Sequence, residues 1–189
     1  MTADPGRPPT SGPTGGRLAN AAATGVADGI DIRDARPDEY AALGDVLVAA
    51  YDAYPETDDR YRSELRDVTA RAESCRVLVA VAPDGRIVGG ATYVPGPGPY
   101  AESEREGEAG IRMLAVAPEA QGRGIGRALT EACMALGRAS GRRRIVLLTL
   151  DSMTPAHRLY ASLGFRRAPE RDWTPEPRLR LLGYEHDLD

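Results

Sequence analysis

A chain of 189 residues is expected to form one domain, and a hydrophobic fraction of 42% is enough to bury a core. The net charge of −4 argues against a general nucleic-acid binder, which would carry a basic surplus. All 24 basic residues are arginine, so the chain can have neither a Schiff-base lysine nor the lysine of a phosphate loop.

The chain has two cysteines and two histidines, and neither pair has the spacing of metal ligands. We therefore expect no bound metal, and Cys133, which lies in a helical pattern, is expected in the core. No apolar run approaches the length of a transmembrane helix, and the N-terminus lacks a signal-peptide pattern. These features predict a cytoplasmic protein that does not bind membranes.

The first 29 residues are rich in proline, glycine, threonine and alanine and lack aromatic residues, which predicts a disordered tail over 1–29. The folded domain is therefore expected over 30–189. Apolar and polar residues alternate in its first strand, and proline with acidic residues opens its first helix. Before residue 95 we predict a strand, two helices and a hairpin of two strands, over 30–36, 37–51, 58–73, 76–82 and 86–94.

A loop rich in proline, glycine and acidic residues is predicted over 95–110, and strands and helices alternate after it. This alternation predicts an α/β layer around a mixed sheet. The predicted elements are strand 111–117, a helix that ends near 139, strand 143–150, helix 154–165 and strand 181–188.

The sequence QGRGIG at 121–126 lies between a predicted strand and a predicted helix. Glycines before a helix N-terminus leave free N–H groups that can bind a phosphate, so the segment predicts a pyrophosphate site. A glycine-rich turn without a ligand is the alternative that spacing alone leaves open. The dinucleotide fingerprint fails because Arg127 stands at the third glycine position, and the phosphate loop of nucleotide hydrolases fails for lack of lysine.

The segment LAVAPEAQGRGIGRAL resembles the acyl-coenzyme-A motif of the GCN5-related N-acetyltransferases, Q/R-x-x-G-x-G/A after a strand, with Gln121, Gly124 and Gly126 at the motif positions. The order of the predicted elements also agrees with this family. A second segment, PAHRLYASLGF, is similar to the family's later A-x-x-L-Y-x-x-x-G-F pattern, which is matched by Ala156, Leu159, Tyr160, Gly164 and Phe165.

The resemblance implies the family's fold, a mixed sheet of about six to seven strands flanked by about four helices. Strand 111–117 is then expected to splay from strand 144–150 and to bind acetyl-CoA, as co-substrate, in the gap. A backbone amide at Met113 or Leu114 is expected to stabilise the oxyanion. The residues implied in coenzyme binding are Met113, Leu114, Ala115, Val116, Gln121, Gly122, Arg123, Gly124, Ile125, Gly126, Arg127, Ser152 and Ala156.

For three of these residues, Arg123, Arg127 and Ser152, the sequence leaves another interpretation open. Arg123 and Arg127 are as well explained by a solvent-facing role as by phosphate contacts. Met153 stands where many relatives carry an asparagine that bonds the pantetheine, so Ser152 or the backbone is the expected substitute.

Two residues are implied in proton transfer. Tyr160 is at the family position of the acid that protonates the leaving thiolate, with a core role on the apolar face of its helix as the alternative. Glu108 is the candidate base that deprotonates the amine, although it lies three residues before Ile111 and Gly110 stands where a closer acid is expected. The other acidic residues of this loop are expected to be solvated: Glu102, Glu104 and Glu106.

Tyr51, Tyr54 and Trp173 are candidates for the wall of the acceptor pocket, together with Tyr100. The resemblance implies direct acetyl transfer from acetyl-CoA to a primary amine, with a small-molecule acceptor favoured over a peptide N-terminus or lysine. The alternatives are a non-catalytic acyl-CoA sensor or interaction module and a nucleotide-binding protein. A homodimer stays open, because dimers are common in this family.

Overall fold

The computed structural model describes residues 29–177 and 179–188, so the predicted tail over 1–29 lies outside the described residues except for Gly29. In this part of the chain, eight strands form one sheet and five α-helices accompany it. The strands are β1 (Asp31–Asp34), β2 (Arg76–Val81), β3 (Ile87–Val94), β4 (Glu108–Val116), β5 (Arg144–Leu150), β6 (Arg166–Arg167), β7 (Trp173–Glu176) and β8 (Leu179–Asp187). The helices are α1 (Tyr40–Tyr51), α2 (Asp59–Arg66), α3 (Val68–Ser74), α4 (Ile125–Ala139) and α5 (Thr154–Ser162).

The strand order is β1-β2-β3-β4-β5-β8-β6, and β7 also pairs with β8. The β4–β5 pair is parallel, and the other pairs are antiparallel. This mixed sheet confirms the predicted fold class. It has more strands than predicted because β6 and β7 span only 2 and 4 residues, too few for alternation to be recognised.

The predicted helix over 58–73 is two helices, α2 and α3, and that prediction was wrong about their continuity. Asp67 leaves helical geometry at ψ 64°, and its carboxylate accepts the Ala70 N–H at 3.0 Å as the N-cap of α3. The buried Arg71 guanidinium donates to the carbonyls of Glu64 and Leu65 at the end of α2. Side chains therefore satisfy backbone groups on both sides of the break.

β4 begins at Glu108, three residues before the predicted strand, and shortens the predicted loop to 95–107. Gly110 pairs with Val94 on one side and with Val146 on the other, so it belongs to the middle of the sheet. Glycine and alanine at the start of β4 carry little strand signal, which explains the late predicted start.

The apolar core lies on both faces of the sheet. On one face, α4 and α5 bury a cluster that includes Leu78, Leu129, Cys133, Ile145 and Tyr160. On the other, α1, α2 and α3 bury a second cluster that includes Leu43, Leu47, Leu65, Val68 and Val79. Among the described residues, no helix combines the length and apolar character needed to cross a membrane.

Candidate active site

The parallel strands β4 and β5 pair only where Glu108–Ile111 lie beside Arg144–Leu147. Beyond this point β4 pairs with β3 alone, and β5 pairs with β8 alone. The two strands therefore separate, and each turns backbone groups without sheet partners toward the gap. The splay implied by the family resemblance is present in the structure.

A β-bulge lies at the point where β4 leaves β5. Gly90 of β3 faces Ala115 and Thr92 faces Arg112, so β4 has one more residue than β3 across this interval. Met113 in the bulge has a φ of +50°, the one positive φ of a non-glycine residue in the described chain. Its side chain is buried beside α1, and this packing must offset a conformational cost of about 1–3 kcal/mol. The bulge bends β4 and helps to open the gap.

The glycine segment forms the turn that was predicted before α4. Gly122 and Gly124 have φ values of +76° and +80°, and Gly124 is the N-cap of the helix. Within the described chain, the N–H groups of residues 122–127 have no backbone acceptor. A Cβ on Gly122 would meet no atom within 4 Å, so the turn faces open space. Six free donors at the positive end of a 15-residue helix fit a pyrophosphate.

The side chains near this turn have different roles. Arg127 donates to the Ser162 hydroxyl at 2.7 Å and lies 3.5 Å from the Glu131 carboxylate, whereas Arg123 is exposed. The Gln121 side chain donates to the Val116 carbonyl at 3.2 Å and so ties the turn to β4. The Ile125 side chain is buried in the core, which leaves only its backbone for a ligand.

A cavity of about 730 Å³ lies where β4 and β5 separate. Residues from α1, α2, α5 and the C-terminal strands complete its wall. The structure does not bring Tyr54, Ser152, Glu108 or Tyr100 to this wall. The predicted site residues that line it are Tyr51, Met113, Leu114, Ala156, Tyr160 and Trp173.

Met153 and Ala156 line the cavity at the start of α5, but Ser152 does not. The Thr149 hydroxyl lies 3.6 Å from the Met153 sulfur and donates a weak hydrogen bond to it. Ser152 is exposed, and its carbonyl accepts the Thr154 N–H at 2.9 Å. The geometry therefore offers no side-chain replacement by Ser152 for the asparagine of many relatives.

The Tyr160 side chain lies in the cavity wall and is only 5% exposed. Its ring packs against Phe165 at 5.6 Å and against Tyr184 at 5.9 Å, measured between ring centroids. Burial raises the pKa of the Tyr160 phenol well above its ordinary value. The hydroxyl therefore carries its proton at neutral pH.

Glu108 is buried in an ion-pair network and lies outside the cavity wall. Its carboxylate accepts from Arg171 at 2.7 Å and from the Arg105 N–H at 2.9 Å, and Arg144 is 3.7 Å away. Burial opposes the charge of Glu108, but Arg171 with the other donors outweighs it and lowers the pKa. This position does not support the predicted role of Glu108 as base, and the residue instead holds β4 to the Pro169–Arg171 turn.

Sequence analysis did not predict a cluster of charged residues in the cavity wall. Glu102, expected to be solvated, has a side chain only 21% exposed and lies 2.6 Å from the Arg112 guanidinium. Arg112 also lies 3.3 Å from Glu64 and donates to the Tyr100 carbonyl at 3.2 Å. Burial raises the pKa of Glu102, Arg112 lowers it, and the nearby carboxylates raise it further, so that the net shift is upward.

Aromatic rings form the wall beside this cluster. Tyr51 packs edge-on against Tyr61 at 5.5 Å, and burial raises the Tyr51 pKa to about 12. Tyr54 lies outside the wall, and its ring centroid is 6.5 Å from that of Tyr51. Trp173 lines the cavity from β7 and is 47% exposed.

Comparison with known proteins points to one family. The family described as Acetyltransferase (GNAT) matches residues 38–165. A mycothiol acetyltransferase of Arthrobacter sp. (strain FB24) is 36% identical over 121 residues, which are 63% of this chain and 36% of that protein. The chain spans less than half the length of each curated relative that it matches.

Solved structures share the fold. A GCN5-related N-acetyltransferase from Kribbella flavida is 29% identical with a TM-score of 0.58, and the match covers 84% of this chain and 98% of that one. The YncA protein of Salmonella typhimurium, solved with its cofactor acetyl-CoA, is 24% identical with a TM-score of 0.65, over 86% and 95% of the two chains.

Proposed function

Because the chain belongs to the GNAT family of acetyltransferases, we propose that it transfers an acetyl group from acetyl-CoA directly to a primary amine of a small molecule. The observation that carries this proposal is the arrangement around the splayed end of β4. The gap between β4 and β5 has the free N–H groups of residues 122–127 at the adjoining turn and a buried phenol, Tyr160, in its wall.

The chain's backbone would supply most of the coenzyme contacts. Residues 112–116 of β4 have no partner on the β5 side and would pair with the pantetheine arm as with an added strand. The N–H groups of residues 122–127 would hold the pyrophosphate. When bound, acetyl-CoA supplies the acetyl group as a thioester.

Tyr160 would act as an acid. Its hydroxyl oxygen keeps a proton across the physiological range because burial disfavours the phenolate. A thiol has a pKa of roughly 8.5, so a thiolate leaves more easily when a nearby donor supplies a proton. The place of Tyr160 in the cavity wall supports this role over a purely structural one.

Two observations support a small, cationic acceptor. The curated relatives carry the name of a small-molecule acetyltransferase, mycothiol acetyltransferase. The cavity wall has five carboxylates against two guanidinium groups, which favours an ammonium group over an anion. The acidic residues are Glu56, Asp58, Glu64, Glu102 and Glu176, and the basic ones are Arg60 and Arg112.

A panel of primary amines tests the proposal. Acetyl-CoA binding is measured by calorimetry, and thiol release is followed with small amines, amino sugars, and peptides with a free N-terminus or a lysine. Release with a small amine and not with the peptides supports the proposal. Binding without release above background would identify the sensor function instead, and release with peptides alone would identify a protein acetyltransferase.

A further inference from the structure

We infer that Glu102, on the loop before β4, is the group that takes the proton from the acceptor's ammonium. This inference rests on the proposed function. Its carboxylate lies in the cavity wall with Tyr160, whereas the strand residue Glu108 is directed into an ion-pair network. The loop therefore supplies the cavity with a carboxylate that β4 does not supply.

The loop is held so that Glu102 reaches the cavity. The carboxylate of Glu104 accepts the N–H groups of Glu102 at 2.7 Å and of Ser103 at 2.9 Å. It also lies directly over Gly110, where an added Cβ would be 1.7 Å from a carboxylate oxygen. The absence of a side chain at Gly110 is thus what admits Glu104 and its turn.

A second contact fixes the same loop from the C-terminal side. Arg171, which is buried, donates to the Ser103 carbonyl at 2.7 Å and to Glu108 at 2.7 Å. The ion-pair network that removes Glu108 from the cavity therefore also anchors the residue next to Glu102. Arg171 therefore contacts Glu108 directly and Glu102 only through the backbone of Ser103.

The charges around Glu102 allow it to accept a proton. Arg112 of β4 holds the carboxylate at 2.6 Å and keeps it in place. Burial raises the pKa of Glu102, Arg112 lowers it, and the carboxylates of Glu104 and Glu64 raise it, so the net shift is upward and Glu102 is a stronger base than an ordinary glutamate. The phenols of Tyr51 and Tyr61 face it from α1 and α2, and burial raises their pKa values, so they stay neutral.

The step is a simple proton transfer. An alkylammonium has a pKa of about 10, as lysine does, and its nitrogen has no free electron pair at neutral pH. One N–H bond of the acceptor breaks and one O–H bond forms on Glu102, directly or through one water. The amine then has its electron pair for bonding to the acetyl carbon, and the proton on Glu102 returns to solvent.

The test compares wild type, Glu102→Gln and the control Glu106→Gln, an exposed residue of the same loop. The acceptor is the small amine with the highest rate in the panel. We expect kcat/KM of Glu102→Gln to fall by about 10²-fold or more at pH 7. Acetyl-CoA affinity should stay near wild type, Tm should fall only modestly because Arg112 keeps Glu64 as a partner, and Glu106→Gln should keep its activity.

The pH profile separates a base from a structural role. The deficit of Glu102→Gln should shrink as pH approaches 10, because more of the acceptor is already neutral. Two results would overturn the role of Glu102 in an active wild type. In the first, Glu102→Gln keeps the wild-type rate and pH profile; in the second, its deficit in kcat/KM stays constant with pH. A wild type that acetylates no amine would instead overturn the proposed function itself. Failure of the proposed function can thus be told apart from failure of the Glu102 assignment.

Discussion

At the scale of single residues, Tyr160 combines packing and chemistry in one side chain. Its ring contributes to the core with Phe165 and Tyr184, while its hydroxyl belongs to the cavity wall. Replacing it with phenylalanine keeps the ring and removes the proton donor. We expect Tyr160→Phe to lower kcat by about 10²-fold while Tm changes little.

Steady-state kinetics and thermal unfolding of Tyr160→Phe check this expectation together. The neighbouring Tyr184→Phe is the matched control, because it removes a hydroxyl from the same ring cluster outside the cavity wall. An unchanged kcat in Tyr160→Phe, with normal folding, would assign the residue to the core alone.

The family resemblance implied a role for Tyr160 and not for Glu102, and this difference has a physical reason. Tyr160 lies in a helix, where fixed spacing lets a short motif be matched residue by residue. Glu102 lies in a loop whose course depends on Glu104, Gly110 and Arg171, residues distant in sequence. No local periodicity carries that information, so the acidic loop was expected to be solvated and the base was sought on the strand.

At the scale of elements, the turn before α4 needs glycine because of its backbone conformation and not because a side chain would clash with a neighbour. Gly122 has a φ of +76°, with open space where a Cβ would lie. Alanine there costs about 1–2 kcal/mol in the left-handed region, so the turn should shift toward other geometries. We expect Gly122→Ala to weaken acetyl-CoA binding about tenfold, because N–H groups that move lose their shared orientation.

Gly141 offers a matched control. It follows α4 and has a φ of +65°, again with no atom within 4 Å of an added Cβ. Gly141→Ala should therefore lower stability as much as Gly122→Ala and leave the Kd for acetyl-CoA unchanged. Calorimetry on both variants separates the two effects, and equal Kd values would show that the turn does not bind the coenzyme.

The contact between the acidic loop and β4 predicts a double-mutant effect. Gly110→Ala should displace Glu104 and with it Glu102, lowering kcat/KM by about tenfold or more. In a Glu104→Ala background the added methyl group meets no carboxylate, so Gly110→Ala should cost little further activity. Strictly additive losses in kcat/KM across the cycle would contradict a coupling between these two positions.

At the scale of the whole molecule, the fold was more predictable than the site. Strand and helix periodicity predicted the mixed sheet, and the family resemblance implied the splay between 111–117 and 144–150. The site combines side chains from α1, the acidic loop, β4, α5 and β7, brought together by topology. Sequence spacing cannot show that Glu102 and Tyr160 share a cavity or that Glu108 faces Arg171.

Ion pairs between carboxylates and arginines stabilise distant parts of this sheet. They make the stability of the protein depend on pH. Arg33 of β1 donates to Glu39 at 2.6 Å, and this bond lowers the Glu39 pKa to about 2. Arg166 and Arg144 lower the pKa of Asp187, on β8, to about 2 in the same way. A carboxylate with a lowered folded-state pKa stabilises the fold above its unfolded value of about 4, and this contribution is lost as pH falls toward 2.

We therefore expect the free energy of unfolding, measured with urea, to fall steadily between about pH 4.3 and about pH 2. Glu39→Gln should be less stable than wild type at pH 7, because Arg33 loses its partner. The difference should shrink as pH falls, because acid protonates Glu39 in the wild type as well. Exposed Glu106→Gln is the control, and a stability difference between Glu39→Gln and wild type that stays constant down to pH 2 would show that the Arg33 pair does not set this acid dependence.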